Sequence, residues 1–411
     1  MKRHVIIVGG GAAGMTAAIA AARRGAAVTI LEHTARVGKK ILSTGNGKCN
    51  ITNLSMPEGA YRGNQPEFAL QVIKQVSVEK TLEFFRELGI LTTDRNGYVY
   101  PNSGQASSVL DALRFELEHL KVTVVCDCQV KEIRKNLTVI TNTGTYKGDA
   151  VILAAGSKAV PKTGSDGSGY QLAKSLGHTI IKPLPALVQL KCRESWYKQL
   201  AGIRLNAEVL LKADGKIISR DQGEVQFTDY GISGIPVFQV SRYAARGLEE
   251  GKKIKAVLDF FPDTGNKELL DYLINRQRIL GYRTSEEFLN GVLNKKLTTV
   301  LLKEAGINFK QNTAQISRKQ IERLTELLKG FTTEITGVNG FEQAQICSGG
   351  IDTAEIHPET MESKLIKNLY IAGEILDVDG ICGGYNLQWA WSSGILAGAS
   401  AAMGNAEKGR I

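Results

Sequence analysis

Gly9, Gly11 and Gly14 stand in the spacing G-x-G-x-x-G, directly after the apolar run Val5-Ile6-Ile7-Val8. Glycines so placed do a defined job. Gly9 lets the chain turn sharply out of a strand, and Gly11 lets the backbone approach a pyrophosphate. Gly14 lets the following helix pack close to the sheet. The backbone N–H groups of Ala12 and Ala13 then open a helix whose partial positive charge faces the phosphates. Eighteen residues after Gly14 comes Glu32, at the end of a second strand, Ala27-Val28-Thr29-Ile30-Leu31. A carboxylate there accepts hydrogen bonds from a ribose and disfavours a 2′-phosphate. Strand, glycines, helix, strand and acid together predict a dinucleotide site that is not for NADP.

A competing reading comes from the uncharged stretch Val5 to Ala22, which has the length of a membrane span and follows Lys2 and Arg3. Four glycines inside it, and the strand and acid after it, argue for the nucleotide unit instead. No other segment reads as a span, so a cytoplasmic protein without a membrane-spanning segment is expected.

The far end of the chain repeats the theme. Leu369-Tyr370-Ile371-Ala372 is a strand pattern followed by Gly373-Glu374, then by Gly383-Gly384-Tyr385-Asn386-Leu387-Gln388 and a helix. This resembles the second nucleotide signature of FAD-dependent enzymes, where a glycine and an acid hold the ribityl chain. That acid is usually Asp, so Glu374 is a departure. The resemblance places the helix start at Gly384, Asn386 and Leu387 against the flavin N1–C2=O edge. Ala155 and Gly156 resemble the A-x-G element that passes under the nucleotide. Val130 falls where such proteins hold adenine through the backbone. The cofactor expected is FAD.

The chain of 411 residues has 43% hydrophobic and 22% charged residues, ordinary for a soluble fold of several domains. The organisation predicted is α/β: a Rossmann-like FAD-binding domain of the two-dinucleotide-binding type, discontinuous over 1–187 and 340–411. A β-barrel-like insert spans 188–262 plus 330–339, and a small helical domain spans 263–329. Helices are predicted over Val78 to Glu87, Ser107 to His119, Lys267 to Ile279, Glu286 to Leu293, Leu297 to Glu304 and Arg318 to Leu328. Strands are predicted over Val122 to Val130, Leu205 to Leu211, Lys216 to Ser219, Glu224 to Thr228 and Lys255 to Phe260.

Six cysteines in this length do not make a disulfide framework. Cys126 and Cys128 fall in a strand pattern, on one face. No second pair lies at zinc spacing, so no metal centre is expected. Cys49, Cys347 and Cys382 sit in glycine-rich loops, without the close pairing of a disulfide reductase. The net charge is +10. The basic residues are scattered in the sequence, so a nucleic-acid partner is not expected and an anionic small-molecule substrate is favoured.

The segment Arg36-Val37-Gly38-Lys39-Lys40-Ile41-Leu42-Ser43-Thr44-Gly45-Asn46-Gly47-Lys48-Cys49-Asn50-Ile51-Thr52-Asn53 resembles the signature of the BaiN-type flavoproteins, also labelled aminoacetone-oxidase-like. Gly97 to Pro101, Phe227 to Gly234 and Gly380 to Trp389 agree, and the resemblance covers essentially the whole chain. It implies that Arg36, Lys39, Lys40, Thr44, Gly45, Gly47 and Asn50 belong to a loop wrapping the flavin and its phosphates. It also implies one of two chemistries: reduction of conjugated C=C bonds in 3-oxo-4,6-diene bile acids, or oxidation of a small amine by O₂. The loop looks closest to the bile-acid type.

Enone reduction needs hydride at the β-carbon, a group polarising the carbonyl and an acid for the α-carbon. Tyr385 and Tyr230 are candidate proton donors and Asn386 a candidate polariser. Amine oxidation would want a carboxylate near the cation, for which Asp377 and Asp379 are candidates. No second G-x-G-x-x-G follows, so NAD(P)H, or another electron donor, must visit the flavin without its own nucleotide domain. An RNA-binding flavoprotein is a third reading, allowed by the basic balance.

Overall fold

The computed structural model describes residues 2–403; Met1 and the last stretch of the proposed FAD domain, 404–411, lie outside the described residues. The chain divides into two compact units, one formed by the residues up to Leu184 and from Ala344 onward, the other by Pro185–Gln343.

The first unit is built on a five-stranded parallel sheet in the order Leu369–Ile371, Ala150–Leu153, His4–Val8, Ala27–Leu31, Thr123–Val125. Val8 pairs with Leu31 on one side and Leu153 on the other, and Leu153 with Ile371. Val5, Ile6, Ile7, Ile152 and Leu369 are fully buried. Both faces are therefore covered, as an all-parallel sheet requires. The strands end together at Val8, Leu31, Leu153 and Ile371, the edge at which such sheets bind ligands.

Two helices lie against each other at that edge. The first runs Ala12–Arg23 and the last Tyr385–Met403. A Cβ on Gly394 would stand 2.4 Å from the Ala13 carbonyl oxygen, and one on Gly398 2.1 Å from that of Ala17. Only glycine permits this backbone contact. Gln388 anchors the last helix from within: its Oε1 accepts from Thr52 Oγ1 at 2.5 Å, and its Nε2 donates to Thr81 and Ser392 at 2.7 and 2.8 Å.

The second unit contains a closed barrel in the order Leu190–Cys192, Gly231–Ser233, Lys216–Phe227, Arg204–Ala213, Ile254–Asp259, Phe331–Val338. Ala207, Val209 and Leu211 alternate inward along one strand. The helices Asn266–Ile279, Lys295–Glu304 and Arg318–Lys329 share the barrel's apolar core, through residues such as Leu273, Leu301 and Leu324.

Four local expectations are corrected. Val122 to Val130 is not one strand: Asp127 takes φ +51°, and the chain leaves the parallel sheet after Val125 to begin a separate strand at Val130. Cys126 and Cys128 thus lie in a crossing, not on a strand face. Lys216 to Ser219 and Glu224 to Thr228 merge into one strand, Lys216–Phe227, because the partner Arg204–Ala213 pairs along its whole length. Glu286 to Leu293 makes only a short turn of 3₁₀ helix, Ser285–Glu287, and the chain goes on in single turns through Asn290 and Val292, with Gly291 at φ +80°. Helices Pro66–Gln75 and Ile235–Glu249 went unpredicted; each has a proline in its first turn, where no N–H is needed.

Candidate functional site

At the end of the first strand, Gly9 has φ +104°, and a Cβ there would lie 2.5 Å from the Ala154 carbonyl oxygen. A Cβ on Gly14 would lie 1.9 Å from the Gly9 oxygen. Gly11 differs: it precedes the helix with no side-chain cap, and a Cβ there meets nothing within 4 Å. The first-turn N–H groups at Ala12, Ala13 and Gly14 have no intrahelical acceptor. Beside open space, they make an anion cradle. Glu32 is buried; its Oε2 accepts from Gly10 N and its Oε1 from Thr34 N, both at 2.8 Å. The acid thus ties the glycine loop to the end of the second strand.

The other end of the chain arrives at the same place. Gly373, at φ +81°, would carry a Cβ 2.8 Å from that of Ala13. Its N–H donates to Ser393 Oγ and its carbonyl accepts from Trp389 Nε1, each at 3.0 Å. Glu374 follows, and its Oε2 accepts from Lys40 Nζ at 2.6 Å and from Ser157 Oγ at 3.2 Å. Ser157 was not predicted; it follows the Ala155-Gly156 turn closely enough to have been suspected. Gly156 takes φ +74°, and its Cβ would meet Ser165 Oγ at 2.7 Å, while Ala155 is half-buried. Val130 begins its strand opposite Thr141 and is half-buried.

Between Lys40 and Asn50 the chain coils through Gly45, Asn46, Gly47 and Cys49, at φ +54°, +55°, +80° and +57°. Thr44 Oγ1 donates to the Ile41 carbonyl at 2.6 Å, and Cys49 N–H returns to the Thr44 carbonyl at 3.1 Å. Arg36 is exposed and Lys39 half-buried, and neither has a carboxylate partner among the described residues. Turned with its nitrogen toward the Thr52 and Val99 carbonyls, the buried Asn50 amide accepts from Gly384 N–H at 3.1 Å.

At the start of the last helix, Gly384 takes φ +97°, with room for no Cβ beside the Thr52 backbone at 2.6 Å. Leu387 is half-buried one turn in. The Asn386 amide is taken up by its own loop: Oδ1 accepts from Gly380 N at 2.8 Å, and Nδ2 donates to the Gly380 and Ile381 carbonyls at 3.0 and 3.4 Å. It clamps the loop that carries Cys382. Two further tyrosines lie here: Tyr61, not singled out in the sequence, and Tyr98, from the Gly97 to Pro101 stretch. Tyr61 OH donates to the Tyr385 carbonyl at 3.0 Å, and the Tyr98 ring lies where a Gly383 Cβ would be, 2.7 Å from it. Burial, and then Tyr98 nearby, push the Tyr385 phenol above its ordinary 10.0, so it stays protonated. Burial does the same to Tyr61.

Tyr230 belongs to the second unit, is 38% exposed, and its oxygen accepts from Asn339 Nδ2 at 2.8 Å. Asp377 and Asp379 are buried in the first unit, with Asp377 Oδ2 accepting from Asn64 N–H at 2.8 Å. Burial raises the Cys49 thiol to about 12 despite a hydrogen bond with Thr44, and raises that of Cys347. Such thiols stay neutral and unreactive.

The HI0933-like protein Rossmann domain matches residues 3–400. The chain belongs to this family. It is 46% identical to a 3-dehydro-bile acid delta(4,6)-reductase from Clostridium scindens, over 92% of this chain and 93% of the relative. It is 28% identical to a ribosomal RNA dihydrouridine synthase from Haemophilus influenzae, over 90% and 91% respectively. The ribosomal RNA dihydrouridine synthase from Escherichia coli is also 28% identical, over 90% of each chain. Among the described residues, no helix is long and apolar enough to cross a membrane.

Proposed function

We propose that this HI0933-like protein is an FAD-dependent oxidoreductase that reduces a C=C bond conjugated to a carbonyl, with 3-oxo-Δ4/Δ6 bile-acid or steroid-like ketones as first substrates. The observation that carries the cofactor is the convergence of an uncapped, open helix start at Gly11 with the Gly373-Glu374 turn. The 46% identical reductase supports the substrate class.

The residues fit the group part by part. Gly9, Gly11, Ala12, Ala13 and Gly14 would hold the pyrophosphate through backbone N–H groups, with Arg36 and Lys39 adding charge. Glu32 would accept from the adenosine ribose and Val130 would meet the adenine. Ala155, Gly156 and Glu374 would line the nucleotide path, with Lys40 setting the Glu374 carboxylate. Thr44, Gly45, Gly47 and Asn50 would enclose the ring system, and Gly384, Asn386 and Leu387 would present the last helix's N-terminus to it.

When bound, the flavin supplies hydride to the β-carbon. The chain's part is to orient, shield and protonate. A phenol held neutral by burial, Tyr385, is the proposed proton donor to the α-carbon. Asn386 holds the Gly380-Ile381 loop that leads toward Tyr385 rather than polarising the carbonyl directly. Tyr230, in the second unit, keeps its own proton to give, since its oxygen accepts from Asn339. NAD(P)H is the proposed reductant.

A second substrate is favoured by the two 28% identical relatives and by the net charge of +10. A uracil ring also carries a C=C bond conjugated to a carbonyl, so a uridine in RNA would ask for the same hydride and proton.

The test is anaerobic stopped-flow with photoreduced enzyme, offered the dienone, unmodified RNA, or O₂. Rapid flavin reoxidation by the dienone is expected. Reoxidation by O₂ alone, with flavin bleaching by aminoacetone, would replace the reading with an amine oxidase.

A further inference from the structure

The helical part of the second unit, residues 266–329, carries twelve Lys and Arg against seven Asp and Glu. The rest of that unit carries twelve of each. Half of the chain's net charge of +10 is therefore gathered in this part.

Three of its arginines cluster at the end of the helix Asn266–Ile279 and in the turn after it. Arg276 donates to the Phe288 and Asn290 carbonyls, each at 2.6 Å, and reaches Tyr272 OH at 3.3 Å. Arg278 donates to Asn275 Oδ1 at 3.0 Å. Arg283 donates to Tyr282 OH at 3.2 Å, with its guanidinium 5.5 Å from that ring's centroid. Among the described residues none of the three meets a carboxylate, so their charge is uncompensated.

Apolar and aromatic surface is exposed beside that charge. Tyr272, Ile279 and Tyr282 are 45%, 60% and 73% exposed. Tyr272, Arg276 and Ile279 share one helix face by their spacing. Large side chains left in water next to unpaired arginines are a surface built for a ligand that is flat and anionic. Phosphates take the guanidinium fork, and bases stack on tyrosine faces in a sequence-tolerant way.

We propose that the surface at the end of this helix and in the turn after it, with Tyr272, Arg278, Ile279, Tyr282 and Arg283, docks a single-stranded stretch of RNA. The proposal extends the second substrate reading above and is independent of the first.

The experiment is fluorescence anisotropy of the FAD-loaded enzyme with a labelled oligouridylate of about 15 nucleotides, in KCl from about 50 to about 200 mM. Binding that weakens steeply with salt is expected. Arg278→Glu with Arg283→Glu should weaken it at least about tenfold and flatten the salt slope by about 1.4, for two lost phosphate contacts. Tyr282→Ala should weaken it by about tenfold, through a lost stacking partner. Lys252→Glu with Lys253→Glu, on the barrel part, makes the same charge change elsewhere and should weaken it far less. Absence of binding at the lowest salt, or an equal loss in the two charge-reversal pairs, overturns the proposal. Retained flavin and an unchanged melting temperature in each variant report an intact fold. RNA binding without dienone turnover would sink the first reading alone, and turnover without RNA binding would sink this one alone.

Discussion

Lys40 Nζ stands 2.6 Å from Glu374 Oε2, although 334 residues separate the two in sequence. The pair joins the loop after the second strand to the turn before the last helix, so both ends of the nucleotide fingerprint are closed by one contact. Its side chains are 22% and 21% exposed, between a surface and a buried ion pair. Removing Lys40 as Lys40→Met leaves a partly buried carboxylate without its cation. We expect a loss of about 2 kcal/mol in stability and a protein purified with little FAD. Glu374→Gln should lose flavin less completely, because the amide can still meet Ser157. Flavin-to-protein absorbance ratios decide it, and equal ratios in both variants and the parent would remove Glu374 from the site.

Gly11 and Gly14 make a sharper contrast. Gly11→Ala adds a methyl where the protein has nothing within 4 Å, whereas Gly14→Ala drives one to 1.9 Å from a carbonyl oxygen. The first variant should fold with the parent's apo-protein melting temperature and bind FAD at least about tenfold more weakly, by crowding the phosphates. The second should fail to accumulate as folded protein. A Gly11→Ala protein with full flavin occupancy would show that no pyrophosphate approaches that backbone.

Tyr385→Phe should retain flavin and lose about 10² to 10⁴ in kcat for enone reduction, the usual worth of a positioned acid. The pH dependence has a definite sign. The phenol is raised above 10.0 and is useful when protonated. The rate step that depends on it should therefore hold through neutral pH and decline only above pH 10. A decline centred near pH 7, or a Phe variant of unchanged kcat, points away from Tyr385 as the donor.

The Cys49 thiol, raised from 9.0 to about 12 by burial, makes folding sensitive to alkali. The folded chain keeps a proton that the unfolded chain releases. The stability linked to that proton is complete below pH 9 and is lost as pH rises toward 12, with a slope of up to about 1.4 kcal/mol per pH unit. Cys49→Ala should show a shallower loss of melting temperature between pH 9 and 10.5 than the parent. In the native parent at pH 8, mass spectrometry after iodoacetamide should find Cys49 unmodified.

Much of this was legible because the chemistry is in the backbone. Gly9, Gly11, Gly14 and Glu32 announce their geometry through spacing alone, since a strand, a tight turn and a helix start leave few other uses for that pattern. The last helix could be read for the same reason, from Gly383-Gly384 and the apolar run after them. Side-chain roles were less legible. Asn386 has the right type and place to polarise a carbonyl, yet its amide is bonded at both ends to the Gly380-Ile381 loop. Tyr61 carries no pattern that marks it, and the Gly97 to Pro101 stretch marks Tyr98 without its role, because the two reach Tyr385 and Gly383 from segments far away in sequence.

The basic residues show the same division. The surplus within 266–329 can be counted along the chain; the fold adds that Tyr272, Ile279 and Tyr282 stay exposed there and that Arg283 bonds the Tyr282 hydroxyl. The amino-acid sequence by itself determined the strand, glycine turn and helix start of the first unit, and the family, because both rest on local backbone geometry and spacing. The tertiary structure alone decided that Lys40 meets Glu374, that Asn386 is occupied, and that Arg278 and Arg283 form no ion pair among the described residues. Those are outcomes of which distant segments pack together, and no local pattern encodes them.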